Sequence, residues 1–206
     1  MPSVTRRTGA RGSGRRGTVE ENLQRAMERL LEKGHNFTQV SVEQLAAEAG
    51  IARGTFYLHF RDKGELVAKL MARVTKAITE AARLESPETA QRTDVRATVK
   101  AVVSLYREHY AVMAAIVETA AYDPEVERLF QEMMATLVEV NRKAMLRRRQ
   151  AGLLGANVPP LTPDVVTWAF ERACHQLILG RKPAQVEALV ESLTHIIWTA
   201  IYARTD

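Results

Sequence analysis

The chain has 206 residues, 46% hydrophobic and 26% charged, which is the length of one large domain or two small ones and the composition of a folded globular protein. Its single cysteine excludes an internal disulfide framework and a four-cysteine zinc site and suits a reducing, cytoplasmic setting. No uncharged apolar run reaches the ~18–20 residues of a membrane span, and the N-terminus lacks the apolar stretch of a signal peptide, so no membrane partner is expected.

The formal net charge of +5 is local to one end. Residues 1–17 hold five arginines (Arg6, Arg7, Arg11, Arg15, Arg16) and no acid, and without them 24 basic residues face 24 acidic ones. This Gly/Ser/Arg-rich arm cannot bury a core and is expected to be disordered in isolation. It is either a solubilising terminus or a basic arm that lies on nucleic acid.

From residue 18 onward apolar residues recur with helical spacing, and no alternating strand pattern is found. Thr18 with Glu21 forms a capping box for a first helix that turns Val19, Leu23, Ala26, Met27, Leu30 and Leu31 inward. Ser41 with Gln44 starts a second helix, which Gly50 ends; a third fits between about Arg53 and His59. Asp62 with Glu65 starts a long fourth helix with Leu66, Val67, Leu70, Met71, Val74 and Ile78 on one face. Ser86-Pro87 breaks the pattern. Helix five is expected over about Asp94 to His109 and a short helix around Val112–Thr119. Asp123-Pro124-Glu125 restarts a seventh helix that runs to about Gln150, with Gly152 as its stop. Thr162-Pro163-Asp164 opens helix eight, Gly180 ends it, and Pro183 opens helix nine. The chain is therefore expected to be all-α, with about nine helices and no internal repeat.

Residues 41–60, SVEQLAAEAGIARGTFYLHF, have the layout of a helix-turn-helix. Two short helices meet at a turn containing Gly50, Ala46 is small where they cross, and Ile51, Phe56 and Phe60 face inward. That leaves Arg53, Gly54, Thr55, Tyr57 and His59 on the outer face or leading end of helix three, which fits a major groove. Spacing alone leaves an ordinary α-protein corner as the other reading. Charge does not help, because six basic residues face seven acids between Thr18 and Gly64.

The run Ala-Gly-x-x-x-Gly-Thr-Phe-Tyr-x-His-Phe-x-x-Lys-x-x-Leu, within TQVSVEQLAAEAGIARGTFYLHFRDKGELV, closely resembles the N-terminal signature of the TetR family of bacterial transcriptional repressors. The resemblance is specific over about residues 18–70; beyond that it is one of helix count and layout. It implies a three-helix DNA-binding domain at 18–64 after the 1–17 arm, and an effector-binding and dimerisation bundle at 65–206. Double-stranded operator DNA, a homodimeric partner and a small-molecule effector are the partners implied, with no cofactor. Position by position it puts Arg53, Gly54 and Thr55 at base edges and Tyr57, His59 and Lys63 at phosphates. Thr38 and Ser41 fall at further phosphate contacts, although Ser41 already has a local role as a helix cap. The same resemblance makes the arginine arm a candidate for the minor groove or flanking phosphates.

Helix eight is apolar almost all round, and helix nine carries one long apolar stripe (Val186, Leu189, Val190, Leu193, Ile196, Ile197, Ala200, Ile201), with Trp198 and Tyr202 outside it. A helix with two apolar faces must be covered twice. The expected cover is a four-helix interface with a second copy, through Trp168, Leu189, Leu193, Ile197, Trp198 and Ile201; a central helix of one monomer is the alternative. Such a dimer spaces two recognition helices ~34–36 Å apart on a near-palindromic operator. For the effector site, Phe130, Met134, Leu137 and Asn141 share a face of helix seven. Tyr106, His109 and Tyr110 come from helix five, and Phe170, Glu171 and Cys174 from helix eight. An aromatic, Met-rich lining with a few polar groups suits an apolar effector, while plain core is the competing account for each residue. Asn141 and Glu171 stand out, because an inward polar group needs a partner. The resemblance extends to family members with long lipophilic tunnels. Coupling is expected along helix four, and the sign, induction or corepression, is open.

The five histidines form no HExxH, there is no cysteine pair, and Cys174 and His175 diverge by ~100° on their helix, so no metal site is expected. Glu171 and His175, one turn apart, are either a shared ligand site or a plain hydrogen bond. With no phosphate loop and no nucleophile elbow, an enzyme is not expected. A helical adaptor that does not bind DNA is the remaining alternative class. Arg147, Arg148 and Arg149 are expected to be solvated complements of a helix dipole.

Overall fold

A computed structural model describes residues 18–154 and 158–203; the arginine arm and its expected role lie outside the described residues. The described residues are all-α, as expected, with nine α-helices and no strand. In chain order these are α1 (Val19–Glu32), a 3-10 turn (Phe37–Gln39), α2 (Val42–Ala49), α3 (Arg53–His59), α4 (Lys63–Ala81), α5 (Arg92–Glu108) and α6 (Tyr110–Ala120). They continue with α7 (Pro124–Gln150), α8 (Thr162–Leu177), α9 (Pro183–Ile197) and a π-turn (Trp198–Tyr202).

The starts are capped by the side chains the sequence offers. Thr18 Oγ1 accepts from Glu21 N (3.2 Å) while Glu21 Oε2 accepts from Thr18 N (3.1 Å), and Ser41 and Gln44 repeat the exchange at α2. Asp62 Oδ1 accepts from Glu65 N at 2.9 Å, and Asp123 Oδ1 from the amides of Glu125 and Val126. Each such cap stabilises its helix by ~1 kcal/mol. The buried apolar side chains form one connected core, from Leu23 in α1 to Tyr202 in the π-turn. α4 runs through both parts, and α6 packs on α1, on α4 and on the 3-10 turn.

The C-terminal helices correct three expectations. First, most of the stripe of α9, Ile196 excepted, packs on its own chain: α9 lies against α5, where Arg96 pairs with both Glu187 and Glu191 across the joint. Leu189, Leu193 and Ile201 are consequently buried inside the monomer, and Ile197 is half-buried. The apolar side chains that do point outward are Leu161, Val165, Trp168, Leu177, Leu179 and Ile196. Second, Tyr202 is core rather than outside the stripe. The Ala203 amide bonds back to Trp198 O, an i→i+5 closure that widens the last turn and swings Ile201 and Tyr202 inward together. Trp198 stacks on Tyr202 at 6.0 Å. Third, Arg148 is not solvated: it is 5% exposed, lies over the Trp198 and Tyr202 rings, and donates to Pro87 O at 2.9 Å and to Tyr202 O. Sequence treats the three arginines alike; tertiary packing gives the middle one a carbonyl-lined socket.

Candidate nucleic-acid interface and effector cavity

The turn between α2 and α3 is made by Gly50, whose φ of +69° is the left-handed conformation that glycine tolerates best. Ile51 N then bonds to Ala46 O at 3.0 Å, and buried Ala46 lets the two helices cross closely. Phe56 and Phe60, both fully buried with rings 5.4 Å apart, fix the inner side of α3. Arg53, Gly54, Tyr57, Leu58 and His59 are left exposed, with Thr55 half-buried at their edge. The Arg53 guanidinium sits 2.5 Å from the Glu43 carboxylate of α2 and 5.5 Å from the centre of the Tyr57 ring. Tyr57 first, and Glu43 after it, raise the arginine's pKa above its ordinary value, so this side chain is a permanent cation held in a fixed direction. Leu58, 84% exposed, is absent from the sequence-derived contact set. Its signal lies in phase: two residues from both Phe56 and Phe60, it points ~200° away from the core side.

Lys63 and Thr38 take on structural tasks. Lys63 Nζ donates to the carbonyls of Phe37 (3.0 Å), Thr38 (3.2 Å) and Val40 (2.7 Å), so all three ammonium protons are engaged in this structure. Burial lowers its pKa. Thr38 N donates to Glu118 Oε2 of α6 at 3.1 Å. Ser41 is half-buried and occupied as a cap. Nearby, a methyl group at Gly64 would collide with the Asp123 carboxylate, which lets α4 begin hard against the start of α7.

A second feature lies inside the bundle. A cavity of about 90 Å3 opens among α4 to α9 and the π-turn, lined by Ile78, Val95, Val99, Val102, Met113, Met133, Met134, Leu137, Val166, Phe170 and Ile197 with a few polar groups. Ala82, Leu84, Val140 and Tyr202 line both this cavity and an outer trough of about 700 Å3 that carries Arg83, Lys143 and Arg147. These four side chains are common to the interior space and the trough. At the polar end, Tyr106 Oη donates to Glu171 Oε1 (3.1 Å), and Asn141 Nδ2 to Thr167 Oγ1 (2.9 Å).

The family described as "Bacterial regulatory proteins, tetR family" matches residues 23–70, and "Transcriptional regulator EthR, C-terminal domain" matches residues 95–203. The chain belongs to the TetR family of bacterial transcriptional regulators. It is 28% identical over 183 residues to the HTH-type transcriptional regulator EthR of Mycolicibacterium smegmatis, covering 85% of this chain and 82% of that protein. Among solved structures it resembles the TetR-family regulator PfmR from Thermus thermophilus (TM-score 0.69, 18% identity, 92% of this chain and 98% of that one). It also resembles FadR from Bacillus subtilis in complex with stearoyl-CoA (TM-score 0.67, 16% identity, 88% and 99%).

In this TetR-family frame the structure brings six of the ten sequence-derived effector residues to the cavity: Tyr106, Met134, Leu137, Asn141, Phe170 and Glu171. The other four lie elsewhere. Phe130 meets Trp168 edge-on at 5.8 Å, between α7 and α8. Tyr110 stacks on His175 and donates to its carbonyl, and His109 caps the α5–α6 corner. Cys174 is fully buried, and burial raises its thiol pKa above the ordinary range. Helical phase shows which face a residue occupies, but the gap between helices depends on where the helices sit. Ile197, Tyr202 and the valines of α5 also line the cavity, and nothing in the sequence marks them for it, since apolar residues of a stripe look the same whether they line a space or fill a core.

Proposed function

We propose that this regulator is a repressor that holds a near-palindromic operator as a homodimer and releases it when a small, largely apolar molecule occupies the interior cavity. The observation that carries the reading is the pairing, on one chain, of an exposed α3 led by Arg53 with an interior cavity lined largely by apolar side chains at the far end of α4. A ligand that binds better to one arrangement of α4 than to another shifts operator affinity by linkage. On this reading residues 18–64 read DNA, residues 65–206 bind effector and partner, and the 1–17 arm adds phosphate contacts. The outward apolar face of Val165, Trp168 and Ile196 supports the second copy. The stearoyl-CoA in the similarly folded FadR supports an effector with an apolar body. The effector leaves chemically unchanged, and the protein works in the cytoplasm.

Fluorescence anisotropy with labelled duplexes from the region upstream of the chain's own coding sequence tests this. The expected result is salt-sensitive binding by a dimer that lipophilic compounds weaken. No binding to that DNA at low salt, or a DNA affinity untouched by every compound that raises the melting temperature, overturns it.

A further inference from the structure

Among the described residues Glu171 is the one charged side chain lining the cavity, and no described cation neutralises it. It is 6% exposed. Its Oε1 accepts from Tyr106 Oη, and among the described residues no other protein donor reaches the carboxylate. Two cations elsewhere in the bundle are already engaged: Arg96 with Glu187 and Glu191, Arg148 with the Pro87 and Tyr202 carbonyls. Two carboxylate oxygens can take about four hydrogen bonds, so one protein donor leaves the group with acceptor capacity for a ligand. Tyr106 is itself buried; its phenol is raised well above the ordinary value by burial and then by Glu171, so it remains protonated, the donor of the pair.

The second polar pair is neutral. Thr167 has one hydroxyl proton and gives it to Pro163 O at 2.7 Å, so it must accept from Asn141 Nδ2. Asn141 is therefore left with its carbonyl oxygen, an acceptor, and with the second N–H of its amide. The one charged group among the described residues that line this otherwise aliphatic and Met-rich cavity is thus an acceptor with room for further donors.

We propose that the effector carries a hydrogen-bond donor, preferentially a primary or secondary ammonium group, at one end of an apolar body, and that this group sits against Glu171 with the body among the α5 valines and Met134. An ammonium brings several protons and a charge opposite to that of the carboxylate, whereas a carboxylate-ended ligand would place two anions together. This inference rests on the effector reading above and narrows it.

The test uses the full chain with three ligands of one length: n-octylamine, octan-1-ol and octanoate. Binding is followed by calorimetry and release by anisotropy on operator DNA. Octylamine is expected to bind about tenfold (~1.4 kcal/mol) tighter than octanol, with octanoate weakest. Glu171→Gln is expected to bring amine and alcohol within about twofold of each other, because the charge that favours the amine is gone. Octanoate binding as tightly as the amine overturns the donor requirement, and octanol doing so overturns the ammonium preference, while the apolar-effector reading stands in either case. An amine preference that survives in E171Q overturns the placement of the donor against Glu171. Failure of all three to bind overturns both. Should E171Q not fold, the ranking of the three ligands on the unaltered protein decides alone.

Discussion

Glu118 of α6 accepts a hydrogen bond from the backbone amide of Thr38 at 3.1 Å, with the threonine hydroxyl 3.5 Å from the same oxygen. One carboxylate thus ties the C-terminal bundle to the 3-10 turn that precedes α2. Lys63, at the start of α4, holds the carbonyls of that turn from the other side. The turn is gripped by both α4 and α6, so movement of either helix reaches the helix-turn-helix, and α4 is not the sole route. Glu118→Ala is expected to leave operator binding in the absence of effector within about threefold but to cut the effector-dependent change by about tenfold. Anisotropy titrations with and without effector measure both. An unchanged ratio rules this link out as a carrier of the signal.

Arg53 and Glu43 are expected to give opposite signs. Arg53→Ala removes the side chain able to chelate a guanine edge and is expected to cost ~1–3 kcal/mol of discrimination between cognate and mismatched operators. Glu43→Gln removes the carboxylate that holds Arg53 in the free protein, and it also removes a negative charge from a surface expected to face phosphates. Tighter binding with little change in discrimination is the expected outcome, read from competition with mismatched duplexes.

Truncation of residues 1–17 tests the arginine arm. The expected effect is weaker operator binding and a shallower dependence of log affinity on log salt, by ~0.9 for each phosphate that the arm neutralises. Equal slopes for the two proteins would assign the arm to solubility.

Trp168 and Leu193 separate assembly from folding. Trp168, 37% exposed on α8, is part of the outward apolar face, whereas Leu193 on α9 is buried against its own chain. Trp168→Glu is expected to shift the protein to monomer by light scattering while each chain stays folded. Leu193→Ala is expected to destabilise the fold by ~2–5 kcal/mol without changing the stoichiometry. The opposite pattern returns the interface to the α9 stripe.

Glu48 links α1 to α2: its carboxylate accepts from Arg29 at 2.6 Å and from Lys33 at 2.9 Å, and these bonds lower its pKa below the ordinary 4.5. A carboxyl depressed on folding contributes stability above its unfolded pKa, and that contribution fades as pH falls through the folded value. The melting-temperature gap between the native chain and Glu48→Gln is therefore expected at pH 7 and to narrow as pH falls below the ordinary 4.5. A gap that stays constant down to pH 3 would show that the ion pairs contribute nothing.

Local chemistry made much of this molecule legible in its sequence. Thr18, Ser41, Asp62 and Asp123 are where helices begin because their oxygens reach the first free amides, whatever the rest of the chain does. The phase of Phe56 and Phe60 fixes the outward side of α3 within seven residues, which is why its exposed set is readable from spacing. The effector lining is only partly readable. Asn141 and Glu171 stand out as polar groups on inward faces, but the same reasoning brings in His109, Tyr110, Phe130 and Cys174, which pack elsewhere.

Sequence by itself determined the all-α class, the positions of the helices, the family signature and the confinement of net positive charge to residues 1–17, because periodicity, capping and charge are properties of short segments. Tertiary structure alone decided which apolar stripe is core and which is surface. The α9 stripe and the outer face of α8 are alike in composition, and only the position of α5 covers the first and leaves Val165 and Trp168 bare. It likewise decided that Lys63 turns to three carbonyls, that Arg148 is buried over two rings, and that Glu171 has a single donor among the described residues. Each of these depends on groups far away in the chain meeting at one point, and no spacing rule encodes the distance between helices.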